Sequence, residues 1–181
     1  DGVVRPPEMP GCREPLVVMA DLEAQVAACT AGVAGFAALA AAMGHPISDD
    51  LGFELHFSEL PPGADHDLGV AHIRSFETNH QPEAHPHGYR IDLGGRKLSY
   101  SGDTGWFAGL PTHVNGSDLF ISECTQHRRN LDFHLSYEEL VAHRDEFDCG
   151  QFVLTHLGAE MQDQRGECEF ETADDGLSLK L

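Results

Sequence analysis

The chain has 181 residues, 41% apolar and 23% charged, enough for one domain with its own core or for part of a larger one. Thirty acidic residues against eleven basic ones give a net charge of −19 with histidine neutral. That balance argues against a broad nucleic-acid-binding face, which needs Lys and Arg to displace counterions from phosphates, and suits a soluble chain in a salty cytoplasm.

"PLVVMA" (15–20) predicts a short buried strand, and residues 21–43 an Ala-rich helix stopped by Gly44 and Pro46. The apolar run 26–43 has no basic flank and lies too far into the chain for a signal peptide, so it reads as a buried helix and not as a membrane span. "GFELHFSEL" (52–60) alternates Phe53, Leu55 and Phe57 with Glu54, His56 and Ser58, the period of a half-buried strand, and Pro61-Pro62-Gly63 makes a turn. "LGVAHIRSFETNH" (68–80) predicts a strand with Ala71 and Ile73 on one face, Val70 and Phe76 on the other, ending at His80. "HGYRIDL" and "RKLSYS" flank Gly94-Gly95 as a two-residue hairpin whose second strand buries Leu98 and Tyr100. "DLFISE" (118–123) is a short strand ending in an acid. Ser136 and Glu139 form a capping box for a helix from Tyr137 to about Phe147. "QFVLTH" (151–156) is a buried strand ending at His156, followed by a short helix and a terminal strand, "GLSLKL". No linker or repeat divides the chain, and the alternation predicts a single layered α/β domain over residues 1–181.

Five cysteines, Cys12, Cys29, Cys124, Cys149 and Cys168, are scattered without a C-x-x-C pair, so neither a disulfide framework nor a zinc ribbon is expected. Free thiols point to a reducing, cytoplasmic setting.

Three strands are read as stopping at a residue that binds metals: His80, Asp103 and His156. A fourth stops at Glu123. In open α/β sheets function collects at the carboxyl ends of strands. Imidazole nitrogen and carboxylate oxygen suit Zn, Mn or Fe. In "SYSGDTG" the glycines at 102 and 105 allow a tight turn that holds Asp103 at the sheet edge. Singly, each signal has an ordinary reading: a surface histidine, or an aspartate that bonds its own turn. His85 and His87 of "HPH" rival His80, but the intervening proline places them on a rim loop. His45, His56, His66, His72, His113, His127 and His143 read as solvated surface.

"GYRIDLGGRKLSYSGDTGW", "DLFISECT", "HLSYEEL" and "FVLTHLG" occur in an order and at spacings that resemble the metallo-β-lactamase fold hydrolases, in particular the ribonuclease Z-like branch. The resemblance covers roughly residues 68–160, and more loosely the stretch from 15. It implies a four-layer αββα sandwich with mixed sheets, represented here mainly by its C-terminal half. It also implies two divalent metal ions, zinc in the first instance with Mn or Fe as alternatives. His80 would complete the first metal site, Asp103 would bridge the two ions, and His156 would serve the second. His134 resembles a histidine that binds no metal and donates a proton or holds the substrate's oxyanion. Glu123 and Thr104 would stand behind the ligands. The implied reaction is hydrolysis by a bridging hydroxide, with a small phosphodiester as substrate. A lactone or thioester hydrolase of the same fold, or a metal-free interaction module, are the alternatives.

The H-x-H-x-D-H run that supplies four ligands in that family is not found in the 181 residues; "HPHGYR" and "ADHDLG" each match it only in part. The chain opens with "DGVVRPPEMPGCREP" and no initiator methionine, and N-terminal truncation is expected in preference to a partner chain or degeneration. On that reading this chain alone binds metal weakly, turns over little, exposes apolar surface and forms homodimers.

Overall fold

The computed structural model describes residues 63–82 and 86–181. The expected elements at 15–20, 21–43 and 52–60, and His85, lie outside the described residues. Among the described residues, seven strands form one mixed sheet in chain order: β1 (Asp65–Asp67), β2 (Ala71–Glu77), β3 (His87–Leu93), β4 (Arg96–Tyr100), β5 (Ser117–Glu123), β6 (Cys149–Thr155) and β7 (Glu171–Thr172). β1 to β4 run antiparallel and β4 to β7 parallel. Gly94 and Gly95, with φ of 61° and 84°, make the tight β3–β4 turn as their sequence predicts. Each parallel step needs a crossover, and these carry α1 (Leu110–Val114), α2 (Tyr137–Ala142) and α3 (Ala159–Gln164).

The helices cover one face of the sheet. Phe76, Phe120, Phe152 and Leu154 project from the strands against Leu110, Val114, Leu140 and Met161, with Phe147 and Phe170 closing the core. Gly88 lies directly opposite Phe76, whose ring occupies the space a side chain there would need. On the other face Ile73, Ile91, Leu98 and Leu119 sit in register across four strands. The α2 capping box forms as expected: Ser136 Oγ accepts the Glu139 N–H, and the Glu139 carboxylate accepts the Ser136 N–H. Of the expected αββα layers, the described residues supply one sheet and the helices on one of its faces.

Several expectations are corrected. β2 stops at Glu77, three residues before His80, and Val70 lies outside it, exposed. In β4 the fully buried residue is Ser99, with Leu98 and Tyr100 half-buried. Ser99 Oγ meets Ser117 Oγ at 2.7 Å and donates to the His113 carbonyl, joining the sheet to the end of α1. Helix α2 ends at Ala142 and gives way to a tighter turn at Arg144–Glu146 before Phe147. The closing strand is Glu171–Thr172, not "GLSLKL". Arg165 fixes it by donating to the Thr172 hydroxyl and to the carbonyls of Thr172 and Ala173. β1 and α1 were not anticipated. His87 opens β3 instead of lying on a rim loop. His113, His127 and His143 are not simply solvated: they stack on Phe76, Tyr137 and Trp106, because a flat imidazole covers an aromatic face well. Among the described residues, no helix is long and apolar enough to cross a membrane.

Candidate active site

The site is built at the carboxyl ends of the parallel strands β4, β5 and β6 and from the loop that follows β2. Gly102 takes a φ of 60° after β4, in a place where a side chain would meet the His87 carbonyl. The next residues, 103–105, then pair with the chain leaving β2. The Asn79 N–H donates to Thr104 Oγ1 at 2.9 Å, and the Gly105 N–H donates to the Asn79 carbonyl at 2.8 Å. The Thr78 hydroxyl donates to the Asp103 carbonyl. These bonds carry the chain past Glu77 toward Asp103 and bring His80 beside it, which explains why β2 need not extend to His80.

At the end of β5, Glu123 is 1% exposed and accepts four hydrogen bonds. Oε1 accepts from the Thr104 N–H and from His134 Nδ1, both at 2.8 Å. Oε2 accepts from the Thr125 N–H at 3.1 Å and the Thr125 hydroxyl at 2.8 Å. With its acceptor directions taken, Glu123 is occupied in orienting its neighbours. Because His134 gives its Nδ1 proton to Glu123, its Nε2 is the nitrogen left for chemistry. Thr104 acts through its backbone N–H, while its buried hydroxyl joins Asn79 to Gly105.

At the end of β6, His156 adopts a φ of 52°, the left-handed region that a side chain bearing Cβ seldom enters. Such backbone clusters at functional sites. The turn also needs Gly158, where a side chain would collide with the Thr125 carbonyl. His156 Nδ1 lies 3.1 Å from Asp103 Oδ1.

The structure therefore brings His80, Asp103, His134, His156 and Glu123 into one cluster. His80, Asp103 and His134 each offer a ligand atom within 4.8 Å of the others, as do Glu123, His134 and His156. The His80 ring stands edge-on to His134 at 5.0 Å and to Phe133 at 6.1 Å. Burial would raise the Asp103 pKa, but the His156 hydrogen bond and the charges of His156, His134 and His80 outweigh it and hold the carboxyl below its ordinary value. The Glu123 hydrogen bond raises His134 against the opposing effect of burial. Burial, then the neighbouring His134, lowers His80. Two imidazoles around an ionised carboxylate are a donor set that fits zinc, manganese or iron, and the Asp103 and His156 side chains are 28% and 46% exposed, open to an entering ion. Shared between two ions, with Asp103 common to both, these three residues would give each ion two protein ligands, fewer than the three usual in catalytic zinc sites.

The sequence reading missed Thr125 and Gln126. The Thr125 hydroxyl lies 3.3 Å from both His134 Nδ1 and His156 Nδ1, so it touches every arm of the site except His80 and Asp103. Its signal was its place two residues after Glu123, just beyond the end of β5, where its hydroxyl reaches the same carboxylate.

A family profile, that of the beta-lactamase superfamily domain, matches residues 13–157. The chain belongs to the beta-lactamase superfamily. This superfamily member is 28% identical over 148 residues to the ribonuclease Z of Mycobacterium avium (strain 104), covering 69% of the chain and 53% of that relative. It is 37% identical over 76 residues to the ribonuclease Z of Bradyrhizobium sp. (strain ORS 278), covering 39% of the chain and 25% of that relative. The superfamily member thus spans about half or less of the curated relatives it matches. The metallo-beta-lactamase fold protein YhfI from Bacillus subtilis superposes with a TM-score of 0.57 at 20% identity, over 67% of this chain and 54% of that one. The α/β fold expected from the sequence is that of the metallo-β-lactamases.

Proposed function

We propose that this chain carries the C-terminal part of the active site of a metal-dependent hydrolase acting on a small phosphodiester. The observation that supports this most is the meeting of His80, Asp103 and His156 beside a histidine, His134, anchored on a buried carboxylate. His80 and Asp103 would hold one divalent ion, Asp103 and His156 a second. Such a pair supplies Lewis acidity toward the phosphoryl oxygens and activates water near neutral pH.

The chain's own residues do the rest. Asp103, whose carboxyl the surrounding imidazoles hold below its ordinary value in the metal-free site, would balance the charge of the cations. Glu123 fixes the tautomer and rotation of His134, and by raising its pKa favours the form that carries a proton on Nε2. From there His134 protonates the departing oxygen as general acid. The Thr104 and Thr125 backbone N–H groups keep the Glu123 carboxylate from turning toward the cations. A small substrate fits the charge of −19 better than a long polyanion. A cleft of about 360 Å³ beside His156 is lined by Asp174 and Asp175, which would repel further phosphates. The free thiols of Cys124, Cys149 and Cys168 support a cytoplasmic setting.

The test is metal content together with turnover of bis(p-nitrophenyl) phosphate, using protein that includes any sequence encoded upstream of Asp1. Two bound metals with phosphodiester cleavage, both lost in Asp103→Ala, are expected. Cleavage of lactones alone would replace the phosphodiester reading, and absence of any bound metal would defeat it.

A further inference from the structure

We propose that Gln126 is a positioning residue for His134, its side-chain amide holding in place the loop from which the proton donor projects. The role given to His134 rests on the hydrolase reading above; the clamp itself does not. Gln126 is 7% exposed, and its amide makes four hydrogen bonds, all to the backbone of one loop. Oε1 accepts from the Asn130 N–H at 2.6 Å and the Leu131 N–H at 2.7 Å. Nε2 donates to the carbonyls of Leu131 and His134, each at 3.1 Å. Two donors and two acceptor directions are all that a primary amide possesses, and every one is used here.

The main chain of Gln126 is tied to the far end of the same loop. Its N–H donates to the Leu135 carbonyl, and its carbonyl accepts the Tyr137 N–H. The loop's outer side is braced as well. The Asp132 carbonyl sits so close to Gly105 that no side chain could stand there, and Arg129 reaches both Asp132 at 3.0 Å and Glu139 at 3.5 Å.

His134 is therefore located twice, by different residues acting on different atoms. Glu123 grips Nδ1 and sets how the ring turns. Gln126 grips the carbonyl of His134 and the turn before it, and so sets where the ring hangs. A buried, fully satisfied polar network of this kind specifies one arrangement of its backbone. Catalysis by a proton donor depends steeply on that arrangement, since a misplacement of about 1 Å can cost on the order of a hundredfold in rate.

The two roles, positioning and plain stability, separate on leaving groups. A p-nitrophenolate departs with little help from an acid, whereas a phenolate needs the proton more. In the metal-loaded protein, Gln126→Ala should lower kcat for diphenyl phosphate by about tenfold or more, while kcat for bis(p-nitrophenyl) phosphate stays within about threefold and KM is little changed. Added to His134→Ala, the same change should cost nothing further, because both act through one proton transfer. Gln126→Glu retains the volume and the two acceptor bonds but turns a carboxylate oxygen toward the Leu131 and His134 carbonyls, so its loss on diphenyl phosphate should be at least that of Gln126→Ala. Equal losses on both substrates, or a full additional loss in the His134→Ala background, would overturn the proposal. Amide hydrogen exchange gives a reading free of activity: in Gln126→Ala the Asn130 and Leu131 amides should exchange about tenfold faster or more, with β5 unaffected. Unchanged exchange would refute the clamp even with an inactive enzyme. Absence of turnover by the unmodified protein would count against the hydrolase reading and leave the exchange result to judge the clamp.

Discussion

Replacing Glu123 by Gln changes one oxygen into an NH2 group and almost nothing else in volume. The structure makes that a severe change. If the NH2 takes the place of Oε1, it faces the Thr104 N–H and His134 Nδ1; if it takes the place of Oε2, it faces the Thr125 N–H and hydroxyl. Either way a backbone N–H loses its acceptor, the buried one of Thr104 or the partly buried one of Thr125, which costs about 1–3 kcal/mol, and the remaining bonds lose the charge that roughly doubles their strength. A total of about 3–5 kcal/mol follows, a large part of the 5–15 kcal/mol by which domains are typically stable. Urea unfolding of the metal-free protein measures it: with a slope of about 2 kcal/mol/M, the midpoint should fall by about 1.5–2.5 M at unchanged slope. A fall below about 0.5 M would show that the four bonds on Glu123 do not carry the weight assigned to them.

Gly105→Ala places a methyl against the Asp132 carbonyl, which belongs to the backbone and cannot swing aside, so a loss of about 1–3 kcal/mol in chemical denaturation is expected, with reduced turnover from the displaced His134 loop. His156→Gly should be more stable than His156→Ala by about 1 kcal/mol in the metal-free protein, because only glycine holds a φ of 52° without strain. In a histidine NMR titration of the metal-free protein, His134 should titrate above 6.5 and His80 below it. The sign for stability follows from linkage: the His134 contribution is full below its unfolded pKa and fades as pH rises through its higher folded value, whereas His80 disfavours the fold once pH falls through its lowered value.

The elements legible in the sequence were those with strong local signals. Gly94-Gly95 dictated a turn, Ser136 and Glu139 dictated a helix start, and the apolar runs before Glu123 and His156 dictated buried strands. The convergence of His80, Asp103 and His156 was legible too, since each follows a strand that the sheet aligns with the others. What escaped was decided by partners far along the chain. β2 ends early because Asn79 pairs with Gly105, twenty-six residues away, as the bridge between them shows. Ser99 is buried because α1, a five-residue helix with Pro111 in its first turn and little pattern to betray it, closes on its hydroxyl. β7 lies at Glu171–Thr172 because Arg165 binds there, which no alternation of residues encodes. Gln126 escaped because a glutamine in a polar loop has no signal until its four partners are seen.

The central claim is that His80, Asp103 and His156 together grip divalent cations. Zinc-soaked crystals of the protein, examined by anomalous scattering at the zinc edge, test it most directly. The expected result is two peaks, one about 2.0–2.2 Å from a nitrogen of His80 and a carboxylate oxygen of Asp103, the other at that distance from a carboxylate oxygen of Asp103 and a nitrogen of His156. Zinc found only at surface histidines such as His72, with none among those three side chains, would contradict it.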